Sequence, residues 1–407
     1  MFSAQIRREI RKIHAFGFFW MFLPIIPVLV PFQLSLGMNM QQVFFVQVFF
    51  GLVCAAFEVP SGYLCDLWGR KGTLIAGSIL WAIGFGYLHF VNDFVGMLIY
   101  EGILGVAVSL VSGADVAILY DWMQQQDAEA GKSAPREVAT TTLANHQMSQ
   151  VLSEAIAGGV CGLLVLLSYR HVTLLQAIAG LLPLGMALCL REPAYEKLSK
   201  TNHWKNFQYV WRHVFREDRL LRLIFLNQIV WSLATFVMVW LQQKIWEGEG
   251  VPLAIFGLLW ALSNLAVGFT GQQAARLERR FGSANMLAVM ALLPIVGYAT
   301  MAFSSGWLVV GLGILFPLSR GICQIILKDA INWRTPGSIR ATVLSLNSLL
   351  FRVGFAVLGP LTGWITDGFG TSAALGMLAG IFGLSFVLVM LPLLKEVRLI
   401  KPAVEGS

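Results

Sequence analysis

Apolar positions in this chain come in long blocks, without the alternation of a half-buried strand or the narrow stripe of a water-facing helix. A helix needs about 20 mostly apolar residues to cross a hydrocarbon core. Cutting the chain at its charged and turn-rich segments leaves twelve such runs: 15 to 36, 41 to 63, 72 to 91, 94 to 120, 141 to 167, 172 to 190, 222 to 243, 252 to 274, 284 to 303, 307 to 327, 341 to 365 and 372 to 394. The pattern predicts an all-α membrane protein of twelve transmembrane helices. Its longest polar interval divides them six and six, so the expected organisation is an N-terminal six-helix bundle over 1–190, a linker over 191–221 and a C-terminal six-helix bundle over 222–407. The linker mixes Lys197, Lys200, Lys205, Arg212, Arg216 and Arg219 with Trp204, Phe207, Tyr209, Trp211 and Phe215. That mixture suits a helix lying on an anionic leaflet and a solvated connection equally well.

Composition agrees with lipid as the solvent. The 407 residues are 57% hydrophobic and 13% charged, against about 25% charged in an ordinary soluble domain. The formal charge of +7 is scattered through short segments, which argues against a nucleic-acid partner. Lys and Arg orient the chain instead: 25 fall in the terminal segments and even-numbered loops, two (Arg170 and Lys244) on the opposite side, and two (Arg320 and Arg352) inside spans. The positive-inside bias therefore predicts both termini in the cytoplasm. Arg7, Arg8, Arg11 and Lys12 before the first run imitate a secretory signal, but that run is long, holds Pro24, Pro27 and Pro31, and ends without a small-x-small cleavage site. It is read as the first span. The five cysteines stand singly in apolar stretches as small core residues, and His89 and His146 read as interfacial polar groups outside any metal-spaced cluster.

Two halves of six spans invite a search for duplication. After span 2 the chain reads Gly62-Tyr-Leu-Cys-Asp66-Leu-Trp-Gly69-Arg70-Lys71, and after span 8 it reads Gly271-Gln-Gln-Ala-Ala275-Arg-Leu-Glu278-Arg279-Arg280. A glycine and a terminal basic pair recur at one spacing. The first segment resembles the signature between helices 2 and 3 of the major facilitator superfamily, and it is complete: Gly62, Asp66, Gly69, Arg70 and Lys71. Glu58-Val-Pro60-Ser61-Gly62, Ser112-Gly113-Ala114-Asp115 with Tyr120-Asp121, and Arg340-Ala-Thr342-Val-Leu-Ser345 also resemble a bacterial branch of that superfamily. The resemblance implies two pseudo-symmetric six-helix bundles, a multi-pass protein of the bacterial inner membrane and alternating-access transport of a small solute. It also implies that Asp66 docks near Ser338 to Ala341, and that Arg70 pairs with Asp121 to hold the cytoplasmic side closed. Two departures stand out. Glu101 occupies the place where the superfamily often has an arginine associated with proton coupling, and Ala157-Gly158-Gly159 lacks the proline of the antiporter signature.

Ionisable groups inside spans cost several kcal/mol unless they face protein or water, so each is a functional candidate. They are Glu58, Glu101, Asp115, Glu154, Arg320 and Arg352. Read as one helix, span 4 places Glu101 and Asp115 about 40° apart, with Ser112 on the same stripe. Span 5 aligns Gln147, Gln150, Glu154 and Cys161, span 11 aligns Ser345, Ser348 and Arg352, and span 10 aligns Gly313, Phe316, Arg320 and Gln324. Desolvation opposes ionisation of a carboxyl group, so Glu101, Asp115, Glu154 and Glu58 are the candidates for proton coupling. The permanently charged Arg352 and Arg320 are candidates for an anionic substrate group. Gln147, Gln150, Ser112, Asn227, Asn264 and Gln324 complete the substrate candidates, although interhelical hydrogen bonds explain the amides equally well.

The expected function is secondary transport of a small organic solute, with proton-coupled efflux ahead of proton-coupled import. The proton gradient is the expected driving force, no cofactor is expected, and the partners are a small molecule, protons and lipid around a monomer. A membrane-embedded enzyme would need His-Glu-x-x-His, Gly-x-Ser-x-Gly or a phosphate-binding glycine loop, none of which occurs in the sequence. A transport-dead sensor would carry a sizeable soluble segment, and no loop here exceeds about thirty residues by the same span limits.

Overall fold

The computed structural model describes residues 3–130, 136–193, 214, 218–335 and 340–399, and every regular element among them is helical. In chain order these are α1 (Ala4–Trp20), α2 (Leu29–Ser35), α3 (Met40–Leu88), α4 (Phe94–Val111), α5 (Ala114–Ala130), α6 (Arg136–Leu164), α7 (Tyr169–Ala179) and α8 (Leu182–Cys189). There follow α9 (Arg219–Gly248), α10 (Leu253–Phe281), α11 (Ser283–Met301), α12 (Gly306–Leu312), α13 (Leu315–Arg334), α14 (Arg340–Phe369), α15 (Thr371–Ser385) and α16 (Leu391–Leu399). Among the described residues, ten stretches are long and apolar enough to cross a membrane by length and composition. The other two expected spans are a broken one, α1 with α2, and α6, whose middle carries Gln147, Gln150 and Glu154. Large apolar side chains such as Phe90, Leu163 and Phe303 lie bare on the surface, as lipid contact requires and water contact forbids.

The breaks correct the sequence reading in two places. The first span is not a helix from 15: α1 begins at Ala4, where Ser3 Oγ accepts from Ile6 N, and ends at Trp20 ahead of Pro24 and Pro27. Its early turns are amphipathic, with Glu9 buried beneath Arg7, Arg8 and Arg11. Span 4 stops at Val111, because Ser112 leaves helical geometry and Gly113 adopts φ +88°, open to glycine at little cost. Span 10 is divided into α12 and α13, but Gly313 and Ile314 between them keep right-handed helical angles, so the helical phase runs on through the junction.

The chain forms two compact units, one made of Met1–Met38, Phe45–Lys200 and Pro252–Leu262, the other of Asn39–Phe44, Thr201–Val251 and Ser263–Ser407. In the first, Ser149 and Ser153 of α6 donate to the His14 and Phe18 carbonyls of α1, pinning the two helices along their length. Gly158 and Gly162 of α6 lie against the backbone of Gly257 and Ala254 at the start of α10, so close that a Cβ on either glycine would collide with it. Small residues four apart allow this approach. In the second unit, α9 is the central helix: Trp231, Tyr298, Phe316 and Phe382 form an aromatic cluster around it, and Tyr298 donates to the Ala234 carbonyl at 2.7 Å. The same unit holds the start of α3, where Asp367 of α14 accepts from Met40 N at 2.9 Å and Gln41 N at 2.8 Å.

Candidate functional site

The signature after span 2 forms a built turn. Within α3, Gly69 alone leaves helical geometry, at φ +81° and ψ 170°, and the helix restarts at Arg70. A restarted helix presents unpaired N–H groups, and Glu192 meets two of them: Arg70 N donates to its Oε1 and Lys71 N to its Oε2, each at 2.7 Å. A Cβ at residue 69 would stand 2.7 Å from that Oε1, so both the φ angle and the room demand glycine. Arg70 Nε donates to Asp121 Oδ2 of α5 at 3.3 Å, and its Nη1 to Cys65 Sγ at 3.1 Å. Gly62 lies inside α3 with open space around its Cα, and Lys71 heads the restarted helix. The side chains of Asp66 and of its expected docking ground, Ser338 to Ala341, lie outside the described residues.

The counterpart after span 8 preserves the plan with a shifted pivot. Glu278 stands where the first segment has its second glycine, and the left-handed residue is instead Gly282, at φ +83°. Glu278 accepts from Ser283 Oγ, the first residue of α11, at 2.7 Å. Each half thus turns on a positive-φ glycine with a carboxylate at the start of the next helix.

Deeper in the first unit, Glu101 of α4 is 4% exposed, and its Oε1 accepts from Gln47 Nε2 of α3 at 3.2 Å. No cation reaches ion-pair distance of it among the described residues. Asp115 does not share its stripe, since the break at Ser112–Gly113 resets the helical phase. The Asp115 carboxylate turns instead toward α6, where its Oδ2 lies 3.6 Å from His146 Nε2. His146 is therefore a buried residue facing a carboxylate, at 2% exposure. Gln150 belongs to the same cluster, its Nε2 3.3 Å from His146 Nε2. Gln147 and Ser112 are exposed, Glu58 is exposed near the signature end of α3, and Glu154 is half-buried on α6.

Substrate candidates in the second unit divide in two. Asn227 is fully buried and its amide is committed: Nδ2 donates to the Leu223 and Val389 carbonyls, and Oδ1 accepts from Trp231 Nε1. One acceptor site is all that remains, which corrects its reading as a substrate contact. Arg352 is half-buried and its Nε lies 3.4 Å from Ser348 Oγ. Arg320 and Asn264 are half-buried, and Gln324 is exposed on α13.

Three participants escaped the sequence reading. Glu192 had a visible signal, a carboxylate before Pro193 at the end of span 6, but its target lies over a hundred residues away. Gln47 stands in an apolar run and could have been paired with Glu101. His14 sits among the basic residues that mark the amino-terminal flank, and only the early start of α1 brings it against α6. Among the described residues, no group of three or more His, Cys, Asp or Glu could hold a metal ion.

The family model described as Major Facilitator Superfamily matches residues 13–334. Inner membrane transport protein YajR of Escherichia coli (strain K12) is 23% identical over 368 residues, covering 88% of this chain and 77% of that protein. Among solved structures, a mutant of the nucleoside transporter NupG is similar with a TM-score of 0.79 at 14% identity, over 95% of this chain and 99% of that one. A POT family transporter in complex with 5-aminolevulinic acid reaches 0.74 at 13% identity, over 97% of each chain. A D-xylose-proton symporter reaches 0.66 at 14% identity, over 94% of this chain and 95% of the other. At these identities the structural likeness establishes the fold.

Proposed function

Since the chain belongs to the major facilitator superfamily, we propose that it is a secondary transporter of the bacterial inner membrane, both termini cytoplasmic, exchanging protons for a small organic solute by alternating access. The observation that carries the proton-coupled reading is Glu101: a carboxyl group enclosed in an apolar span, held by one amide and met by no cation. A charge there costs several kcal/mol, and such a free-energy difference between protonated and ionised forms is what a coupled carrier needs to make one conformation depend on a proton. The turn at Gly69, clamped by Glu192 and tied through Arg70 to Asp121, supports a gate at that end. Arg352 and Arg320 then hold an anionic group of the solute, with Gln147, Gln150, Ser112, Asn264 and Gln324 as hydrogen-bonding candidates.

Solute export is the direction favoured by the complete signature. Import by symport is the second reading, supported by the similarity to a D-xylose-proton symporter. A thermal-shift screen of purified protein identifies a solute, and flux in proteoliposomes with imposed pH gradients tests both readings. Export by antiport requires acceleration when the proton and solute gradients run oppositely, and symport requires acceleration when they run together. Glu101→Gln should retain solute counterflow and lose the pH-gradient effect. Wild-type flux indifferent to any pH gradient overturns the proton-coupled reading.

A further inference from the structure

A second titratable cluster lies in the first unit, apart from Glu101. His146 of α6 sits between two groups from other helices: Asp115 of α5, with Oδ2 3.6 Å from Nε2, and His14 of α1, whose ring centroid is 5.7 Å away at an interplanar angle of 39°. The place is built for the imidazole. Gly17 clears the space, since a Cβ there would stand 2.5 Å from His146 Cε1. Ser149 Oγ bonds the carbonyls of both His14 and His146, at 3.2 and 2.7 Å, which holds the two histidines in register.

Two ring nitrogens in this cluster, His14 Nε2 and His146 Nδ1, are buried without a hydrogen-bond partner. A proton taken up by these facing imidazoles makes one ring a donor on both nitrogens, and Asp115, 3.6 Å from His146 Nε2, supplies the countercharge. A second proton would place two cations side by side, 5.7 Å apart between ring centroids. Glu154, the other charged side chain described on α6, is half-buried eight residues beyond His146. On α1, Glu9 pairs with Lys12 and Arg7, Arg8 and Arg11 lie on the exposed face, and on α5, Asp121 pairs with Arg70.

The position of Asp115 gives the proton something to act on. It stands in the first turn of α5, directly after the break at Gly113, and α5 also carries Asp121 to the signature arginine. Six residues at about 100° each put the two aspartates about 120° apart around the helix, so α5 is held from two sides. We propose that His146, Asp115 and His14 form a one-proton switch that draws α5 toward α6 when occupied, and that proton exchange there is required for coupling alongside Glu101. This deepens the proton-coupled reading and rests on it.

Histidine-selective carbon-13 NMR of the full chain in micelles tests the switch with the proton itself as the probe. The chain has six histidines, and His146→Gln and His14→Gln assign two of the signals by their loss. The expected wild-type result is a two-step titration shared by His14 and His146. Asp115→Asn should weaken proton binding at His146, as loss of an adjacent opposite charge does, and His14→Gln should reduce its titration to a single step. A His146 signal that titrates once in wild type, or is unmoved by either substitution, overturns the proposal. In proteoliposomes, His146→Gln should keep counterflow and lose the pH-gradient effect. Retention of that effect by His146→Gln defeats the switch alone, whereas its absence from wild type defeats the broader proton-coupled reading.

Discussion

Glu192→Ala is the most direct test of how the signature turn is held. The helix that restarts at Arg70 has its first two N–H groups bonded to one carboxylate, each at 2.7 Å. Removing a capping side chain costs about 0.5 to 2 kcal/mol, and losing a negative charge at a helix start costs a further 0.3 to 1 kcal/mol or so when exposed. Glu192 is exposed, which puts the sum near the lower end, at about 1 to 2 kcal/mol, or roughly a 5- to 30-fold shift in a local opening equilibrium. Hydrogen–deuterium exchange of a peptide spanning residues 69–73 should quicken by that factor in Glu192→Ala, while peptides from α4 stay unchanged. Glu192→Gln keeps one acceptor oxygen and no charge, so it should fall between wild type and Glu192→Ala. Equal exchange at Arg70 and Lys71 in all three proteins would refute the cap, because those amides would then be protected by something other than this carboxylate.

Three further outcomes follow from the same geometry. In a double-mutant cycle, Arg70→Ala and Asp121→Ala should couple by about 0.5 to 1 kcal/mol, read as non-additive thermal midpoints, since the pair is only partly shielded from solvent. Gly257→Leu should lower the thermal midpoint and abolish flux by forcing α10 away from Gly158, whereas Gly268→Leu on the same helix, with open space around it, should leave the midpoint unchanged. Asp367→Ala should speed exchange at Met40 and Gln41 by about the factor of a lost cap, near 1 kcal/mol, with α15 unaffected as the control.

Legibility in the sequence followed the range of the interaction. Spans are local: twenty apolar residues cannot be hidden, and the placement of Lys and Arg repeats the same division by a second route. The signature was equally readable, because Gly69 and Arg70 act within a few residues of each other and Asp121 lies near the end of the neighbouring span. Long-range closures were not readable. Nothing near Glu192 announces that its carboxylate reaches back to Arg70 and Lys71, and nothing near Asp367 announces Met40 and Gln41. A carboxylate in a polar connection looks the same whether it is solvated or capping a distant helix. Asn227 shows the converse: an amide in a span advertises hydrogen bonding, and only the positions of Leu223, Val389 and Trp231 show that its partners are structural.

The separation of Asp115 from Glu101 shows what defeats helical phase. Counting 100° per residue from 101 to 115 assumes an unbroken helix, and Gly113 at φ +88° breaks it one residue before α5 begins. The phase error acquired there is large enough to carry a side chain from one neighbour to another, so Asp115 meets His146 on α6 while Glu101 stays with Gln47 on α3. A Ser-Gly pair inside an apolar run is a visible warning that the count must restart after it. Restarting at Ala114 makes Asp115 a first-turn residue, favoured at a helix start by its charge, and removes every reason to align it with Glu101. The two acids then stand as separate candidates in one unit, on helices that meet at Ser112 and Gly113.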